Sequence, residues 1–368
     1  MTSRSTPVRL GLIGGGNVLG AYHPLISRLE QRGLLTVQGI CAREHQRDSV
    51  RNLFGEVPFT TDATTLLAGD SELVVVLTSM PSHGPLVRAA LEAGKHVLVE
   101  KPLATDWSEA CALQDLARQR GRHLVAAPFT PLSPTFQILG ARLARGDIGR
   151  PCLARARYGW SGPWWNEWFY QPGGGCLLDL GIYCFTTLTG LLGPARRVTA
   201  LAGVAIPERE IQGRTIRVEA EDNAQVLVEF ANGTLATVTT GFTLQQSRGP
   251  AVELYGTEGT LQMLGDDWDP QGYELWQNSA GCWQVFGETH PDWPWTDGLR
   301  DLVEALMSGR SPALPPEHAL HVLELIERAR QSVQEGRTLA LQSSFHPLSF
   351  SAPQLEAAHR QHDRTREH

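Results

Sequence analysis

Apolar residues follow two patterns along this chain, and the pattern changes near residue 128. Before that point short, largely apolar blocks recur: Val8 to Ile13, Leu35 to Ala42, Leu73 to Leu77, Val97 to Val99 and His123 to Ala127. Blocks of this length without sustained polar alternation are what strands buried on both faces of a parallel sheet require. Between them lie helical stretches: Ala21 to Gln31, Pro85 to Ala93 stopped by Gly94, and Asp106 to Arg120 with Asp106 as N-cap. Strands and helices alternating at this spacing imply right-handed crossovers and one parallel sheet. Residues 1–128 are therefore read as a doubly wound, Rossmann-type α/β domain.

After Pro128 one more helix is predicted, Pro134 to Arg145, and strands then dominate. Val226 to Phe230 and Thr234 to Thr239 flank Ala231-Asn232-Gly233, a hairpin signal because Asn-Gly tolerates positive φ. Val252 to Tyr255 and Thr260 to Met263 flank a second turn, G-T-E-G. Successive hairpins predict an α+β domain on an antiparallel or mixed sheet with one face free for packing. Two helices, about 294–308 and 316–335, close this part. The expected division is 1–128, 129–342 and a polar, charged tail over 343–368.

The composition narrows the function. The chain has 368 residues, long enough for two domains, and is 42% hydrophobic and 19% charged, as soluble globular proteins are. Its formal charge of −7 comes with no basic block, which argues against a nucleic-acid partner. No apolar run approaches the roughly 20 residues that span a bilayer, and the N-terminus lacks the apolar core of a signal peptide. The six cysteines are scattered without a C-x-x-C pair and read as reduced packing residues. A cytoplasmic protein with neither membrane nor nucleic-acid partner is expected. No H-x-x-E-H or comparable spacing calls for a metal.

Candidate chemistry sits where the buried strands end. The first strand runs into Gly14-Gly15-Gly16-Asn17-Val18-Leu19-Gly20 and then a helix, the context in which a G-x-G-x-x-G turn binds a dinucleotide. Gly14 allows the tight turn, and Gly16 lets backbone approach a pyrophosphate at the helix N-terminus. The third glycine position holds Leu19, with Gly20 one place later. The second strand ends in Cys41-Ala42-Arg43, with no acid to hold ribose hydroxyls. Arg43 fits a 2′-phosphate, which favours NADP over NAD; a solvated arginine opening the next helix is the competing reading. The run His96 to Pro102, H-V-L-V-E-K-P, ends in Glu100 and Lys101, at the edge where open α/β sheets bind ligands. Thr78 and His83 follow the strand before it. The cofactor set is thus Gly14, Gly16, Asn17, Val18, Arg43, Thr78, His83, Glu100 and Lys101. His23, His83 and His96 read as structural or cofactor-adjacent residues.

A second stretch lies in the other half: Gly173-Gly174-Gly175, then a predicted helix from Cys176 to Leu192 that carries Asp179 and Tyr183 four residues apart on one face. A glycine run there admits close approach of another backbone or a ligand. Asp179 as a first-turn charge and Tyr183 as a core tyrosine are the competing readings. Just upstream, 158–170 holds four of the ten tryptophans, either a sugar-stacking surface or filling for a core or subunit interface. Arg155 and Arg157 alternate with apolar residues and are read as a solvated or inter-subunit face.

Taken together, E-K-P at 100–102, the glycine turn at 14–20 and G-G-G-x-x-x-D-x-G-x-Y at 173–183 resemble the glucose–fructose oxidoreductase/inositol dehydrogenase/rhizopine catabolism (Gfo/Idh/MocA) family over about residues 7–340. The resemblance implies a Rossmann domain, then a C-terminal domain with a large open sheet that forms homodimers or homotetramers. It implies NAD(P)-linked oxidation or reduction of a carbohydrate-like small molecule: a sugar, a polyol or a related carbonyl compound. By position, Lys101 matches the family's catalytic lysine and Asp179 its substrate-orienting carboxylate. Tyr183 stands where many members have histidine; tyrosine there resembles the subset that includes glucose–fructose oxidoreductase and dimeric dihydrodiol dehydrogenase. A phenol's ordinary pKa of about 10 is high for a base at neutral pH, and a nearby Lys101 ammonium would lower it. The expected mechanism is a Lys101–Tyr183 acid/base pair with Asp179 orienting lysine and substrate. Two other classes compete: a nucleotide-binding sensor that has lost turnover, and an NAD-dependent glycosidase-like enzyme with no net change in the cofactor.

Overall fold

The computed structural model describes residues 4, 6–266, 268–288 and 290–350. The chain opens with β1 (Val8–Ile13), α1 (Asn17–Gln31), β2 (Leu35–Cys41), α2 (Arg47–Phe54), β3 (Phe59–Thr60) and α3 (Ala63–Ala68). It continues with β4 (Leu73–Val76), α4 (His83–Glu92), β5 (His96–Val99), α5 (Trp107–Arg120) and β6 (Leu124–Ala126). The second part starts with α6 (Pro134–Arg145), β7 (Pro151–Gly159), α7 (Ile182–Leu192), β8 (Ala195–Gly203), β9 (Glu208–Ile211) and β10 (Arg214–Arg217). It ends with β11 (Asn223–Phe230), β12 (Leu235–Gly241), β13 (Val252–Gly256), β14 (Gly259–Gly265), β15 (Pro270–Gln277), β16 (Cys282–Gly287), α8 (Gly298–Ser308), α9 (Pro316–Glu335) and β17 (Leu339–Ala340).

Two compact units result. Among the described residues, the first contains those up to 129 and 294–327, the second those within 130–293 and 328–350. The expected division at residue 128 gave the first domain no later segment, but α8 packs on β1, β5 and α1. The apolar face of α8 (Leu299, Leu302, Val303 and Ala305, all buried) covers that sheet. At its start Gly298 lies so close to the Phe129 ring that a Cβ would not fit.

In the first unit the six strands run in the order β3-β2-β1-β4-β5-β6. Every pairing is parallel. Leu73 to Val76 and Val97 to Val99 are fully buried, which explains their unbroken apolar runs. The register aligns Ile13 with Val76 and Val76 with Val99, so β1, β4 and β5 end level. The strand order reverses between β1 and β4, the switch point at which open sheets bind ligands.

In the second unit nine strands run β16-β15-β14-β13-β7-β12-β11-β8-β17. Only β7 and β12 pair in parallel; the other neighbours are antiparallel. The expected Asn-Gly hairpin joins β11 to β12, with Gly233 at φ +86°. One sheet face is buried beneath α6 and α7 through Ala154, Ala156, Val226, Val228 and Val238. The opposite face stays open and carries exposed Leu153, Leu227 and Leu235.

Two further expectations differ from the structure. Cys176 to Leu192 is not one α-helix: Leu177–Gly181 forms a π-helical turn before α7 begins. Gly181 closes this turn against β12, where a Cβ would lie 3.3 Å from Thr240 Cγ2. The tail is also not simply polar from residue 343. Residues up to 350 lie along α6 and α7, Phe350 against Gly140 and Phe136, and Leu348 beside Gly190. The rest of the predicted tail, 351–368, lies outside the described residues.

Candidate active site

The level strand ends bring most of the expected cofactor residues to one sheet edge. Gly14 N–H donates to the Cys41 carbonyl (2.8 Å), Leu77 N–H to Ile13 (2.7 Å) and Glu100 N–H to Val76 (3.0 Å). Gly14 sits at φ +118°, and a Cβ on it would lie 2.6 Å from the Leu77 carbonyl oxygen, so glycine is required here. Gly16 has no heavy atom within 4 Å of where its Cβ would be. It precedes α1, whose first turn carries no acidic residue, and Asn17 beside it is exposed with Val18 half-buried. Helix α1 starts at Asn17, four residues before the expected Ala21, because glycine-rich sequence hides a helix start. Leu19, at the expected third glycine, is buried in the core. Arg43 is exposed just past β2, while the nearest acid, Glu44, is paired to Arg47 at 2.6 Å.

Thr78, His83, Glu100 and Lys101 form a connected group. The His83 ring is buried and bridges two loops, with Nδ1 2.7 Å from the Pro102 carbonyl and Nε2 2.9 Å from the Thr78 carbonyl. Burial pushes this ring below its ordinary pKa and Lys101 acts the same way, while both carbonyls hold protons on it. Glu100 points inward: Tyr22 Oη donates to its Oε1 at 2.7 Å, and Lys101 N–H donates to its Oε2 at 3.2 Å. Burial raises the Glu100 pKa, and these donors oppose it. Lys101 is half-buried and is joined to Pro102 by a cis peptide. Sequence spacing gave no sign of Tyr22, which lies in the second turn of α1.

In the second unit the glycine run is clamped by the protein itself. Arg330 pairs with Glu221 (2.6 Å) and donates to the Gly174 carbonyl. Cys176 N–H donates to the Glu221 carbonyl at 2.9 Å. A Cβ on Gly174 would meet the Trp168 and Phe169 carbonyls, and one on Gly175 (φ +95°) would meet the Glu221 carboxylate. Glu221 and Arg330 are far from the glycines in sequence, so nothing short-range announced them. Asp179 is buried in the π-helical turn, 7% exposed, and its N–H donates to Gly175 (3.1 Å). Single π-turns inside helices recur at functional sites. Tyr183, on the first turn of α7, is half-buried, with the Tyr158 ring edge-on at 5.5 Å. Among the described residues no group of three or more His, Cys, Asp or Glu is placed to hold a metal.

A parallel Rossmann sheet with a glycine turn at its switch point, followed by an open mixed sheet, defines a two-domain dinucleotide-linked oxidoreductase. The family comparison agrees: residues 8–127 match the oxidoreductase family with NAD-binding Rossmann fold, and 136–262 match the GFO/IDH/MocA C-terminal domain. The chain is 32% identical over 285 residues to the trans-1,2-dihydrobenzene-1,2-diol dehydrogenase of Oryctolagus cuniculus, covering 72% of this chain and 79% of the relative. It is 28% identical over 350 residues to that of Bos taurus, covering 89% and 97%. A solved levoglucosan dehydrogenase in complex with NADH shares the fold, with TM-score 0.81–0.82 and 20–21% identity across its structures, covering 92% of this chain and 100% of the neighbour. The chain belongs to the Gfo/Idh/MocA family of NAD-binding oxidoreductases.

Proposed function

We propose that this protein is a dehydrogenase of the tyrosine type within its family, acting on a cyclic compound with adjacent hydroxyls: a sugar, a polyol or a ring diol. The observation that carries this reading is the set of level strand ends that brings Gly14, Thr78, Glu100 and Lys101 to the sheet's switch point. The open space at Gly16 and the acid-free first turn of α1 fit a pyrophosphate. Gly14, Gly16, Asn17 and Val18 would hold it, and Arg43 would hold the ribose end. The absence of a free acid after β2 supports NADP over NAD. Thr78, His83, Glu100 and Lys101 would form the nicotinamide end, with His83 and Glu100 acting as buried supports for its loops. When bound, the cofactor supplies the hydride acceptor or donor.

The chain's own part is proton handling and orientation. Tyr183 takes the hydroxyl proton in oxidation and returns it in reduction. Lys101 favours its phenolate, and Asp179 orients the substrate. The dihydrodiol dehydrogenases named above act, by their names, on a ring bearing two adjacent hydroxyls, which supports the substrate class. The exposed leucines on the open sheet face, with Leu201, Trp283 and Val285 on the same surface, support a homodimer or homotetramer built through it. Six free cysteines support a cytoplasmic location. Among the described residues no helix is long and apolar enough to cross a membrane.

A screen of sugars, polyols and ring diols, read at the nicotinamide absorbance band with NAD and NADP in parallel, tests this proposal. Absorbance change with at least one cyclic diol or sugar is expected. Tight cofactor binding with no turnover of any compound would move the assignment to a sensor.

A further inference from the structure

Tyr158 and Trp160 lie two residues apart on β7 and its continuation, where Trp160 N–H donates to the Gly241 carbonyl at 3.2 Å. Side chains two apart on a strand share a face. Here it is the helix-covered face, which carries buried Ala154 and Ala156, whereas Arg155 is exposed on the open face. Tyr158 meets Tyr183 edge-on (5.5 Å, 82°). Further along, Trp160 lies parallel to Trp165 (5.6 Å, 17°), and Trp164 meets Trp165 edge-on (5.8 Å, 90°). Two ring groups thus follow one another along this segment, Tyr183 with Tyr158 and then Trp160 with Trp165 and Trp164. Trp160 and Trp165 are half-buried, and Trp164 is 66% exposed.

The segment bearing these rings is held at several points. Tyr170 Oη donates to the Pro163 carbonyl (2.7 Å), and Arg209 donates to the Ser161 carbonyl (2.7 Å). Gln212, in the β9–β10 turn, grips both outer tryptophans: its N–H donates to the Trp164 carbonyl (3.3 Å) and its amide to the Trp165 carbonyl (2.8 Å). Gln212 does this at φ +51°, where it is the sole non-glycine residue with positive φ among the described residues. A side chain with a Cβ disfavours that region. Glycine would be relaxed there but has no amide to reach Trp165. The nearby charges are paired, Glu167 with Arg214 (3.7 Å) and Arg209 with Asp222 (3.7 Å). The rings at this surface are aromatic, and the charged side chains that flank them are paired.

We propose that Trp160, Trp164 and Trp165 form an outer aromatic subsite for a second ring of the substrate. The preferred substrate is then a neutral two-ring carbohydrate, a disaccharide or glycoside, whose reacting ring lies at Tyr183. This rests on the dehydrogenase reading above. The flat, apolar face of a sugar ring packs on an indole without needing a charge.

The test is calorimetric titration of the NADP-loaded protein, with the NAD-loaded protein in parallel, against cellobiose and against glucose, alongside the nicotinamide absorbance assay. Cellobiose is expected to bind at least tenfold more tightly than glucose, and Trp164→Ala to bring the two affinities together. Gln212→Gly should melt no lower than the wild type and should lose part of the cellobiose preference. Equal binding of the two sugars by the wild type would overturn the subsite, as would a preference that survives Trp164→Ala. So would sedimentation data in which Trp164→Ala converts an oligomer to monomers, which would make the indole a subunit contact. Absence of turnover with every sugar and ring diol would instead defeat the dehydrogenase reading, and the affinity ratio would still judge the tryptophans.

Discussion

Tyr22 Oη lies 2.7 Å from Glu100 Oε1, a buried hydrogen bond that ties α1, the helix after the glycine turn, to the loop that presents Lys101. One residue therefore links the two stretches that the sequence marks as cofactor-facing.

The bond has a pH signature. Burial raises the Glu100 pKa above its ordinary 4.5, so the protonated native form is favoured. The stability this group contributes is complete below pH 4.5 and is lost as pH rises through its native value. Glu100→Gln keeps an acceptor for Tyr22 and removes the charge, so its melting temperature should hold up better than the wild type's between pH 5 and 8. Tyr22→Phe removes a donor to a buried carboxylate and should cost about 1.5–3 kcal/mol, most at pH 8. Thermal melts across this range check both. A wild type and Glu100→Gln with parallel pH profiles would contradict the account.

Tyr183→Phe should bind cofactor normally and lose about two or more decades of turnover. Fluorescence titration of the cofactor and steady-state rates on the best substrate separate the two effects. Unchanged turnover removes the phenol from the mechanism.

His318 is buried in α9, and burial, with His321 nearby, lowers its pKa from 6.5 to about 3. Below pH 6.5 the unfolded ring takes a proton that the native ring refuses. This group should therefore erode stability by up to about 1.4 kcal/mol per pH unit as pH falls from 6.5 towards 3. Urea unfolding at pH 7, 6 and 5 should show a smaller loss for His318→Gln than for the wild type.

Gly174→Ala forces a Cβ against the Trp168 carbonyl and within 2.7 Å of the Phe169 carbonyl oxygen. A loss of at least about 2 kcal/mol is expected. Arg330→Lys cannot make the forked contact to Glu221 and the Gly174 carbonyl together and should lower the melting temperature as well. Chemical denaturation measures both, and a neutral Gly174→Ala would show that the glycines serve something other than the clamp.

What the sequence made legible follows interaction range. β1 and α6 fall on their predicted bounds, and α5 starts at its Asp106 cap, because burial and capping act locally. The π-helical turn at Leu177–Gly181 was invisible, since the same apolar spacing suits an α-helix. Strands β15 and β16 were not read because their partners define them; Val285 on β16 is 66% exposed and carries no burial signal. The placement of α8 in the first unit depends on contacts such as Gly298 with Phe129, distant in sequence. Lys101, Asp179 and Tyr183 were found as parts of short motifs, whereas Gln212, Glu221 and Arg330 have no motif.

The parallel pairing of β7 with β12 has a practical corollary for redesign. The chain must leave β7 at Gly159 and return to enter β12 from the opposite end at Leu235. The stretch after Gly159, up to the glycine clamp, belongs to that long return and, past the Trp160 N–H bond to the Gly241 carbonyl, contributes no strand to the nine-stranded sheet. Exchanging it for a segment of different length or chemistry would recast what the protein accepts as cargo, with the sheet beneath still spelled by the same pairs.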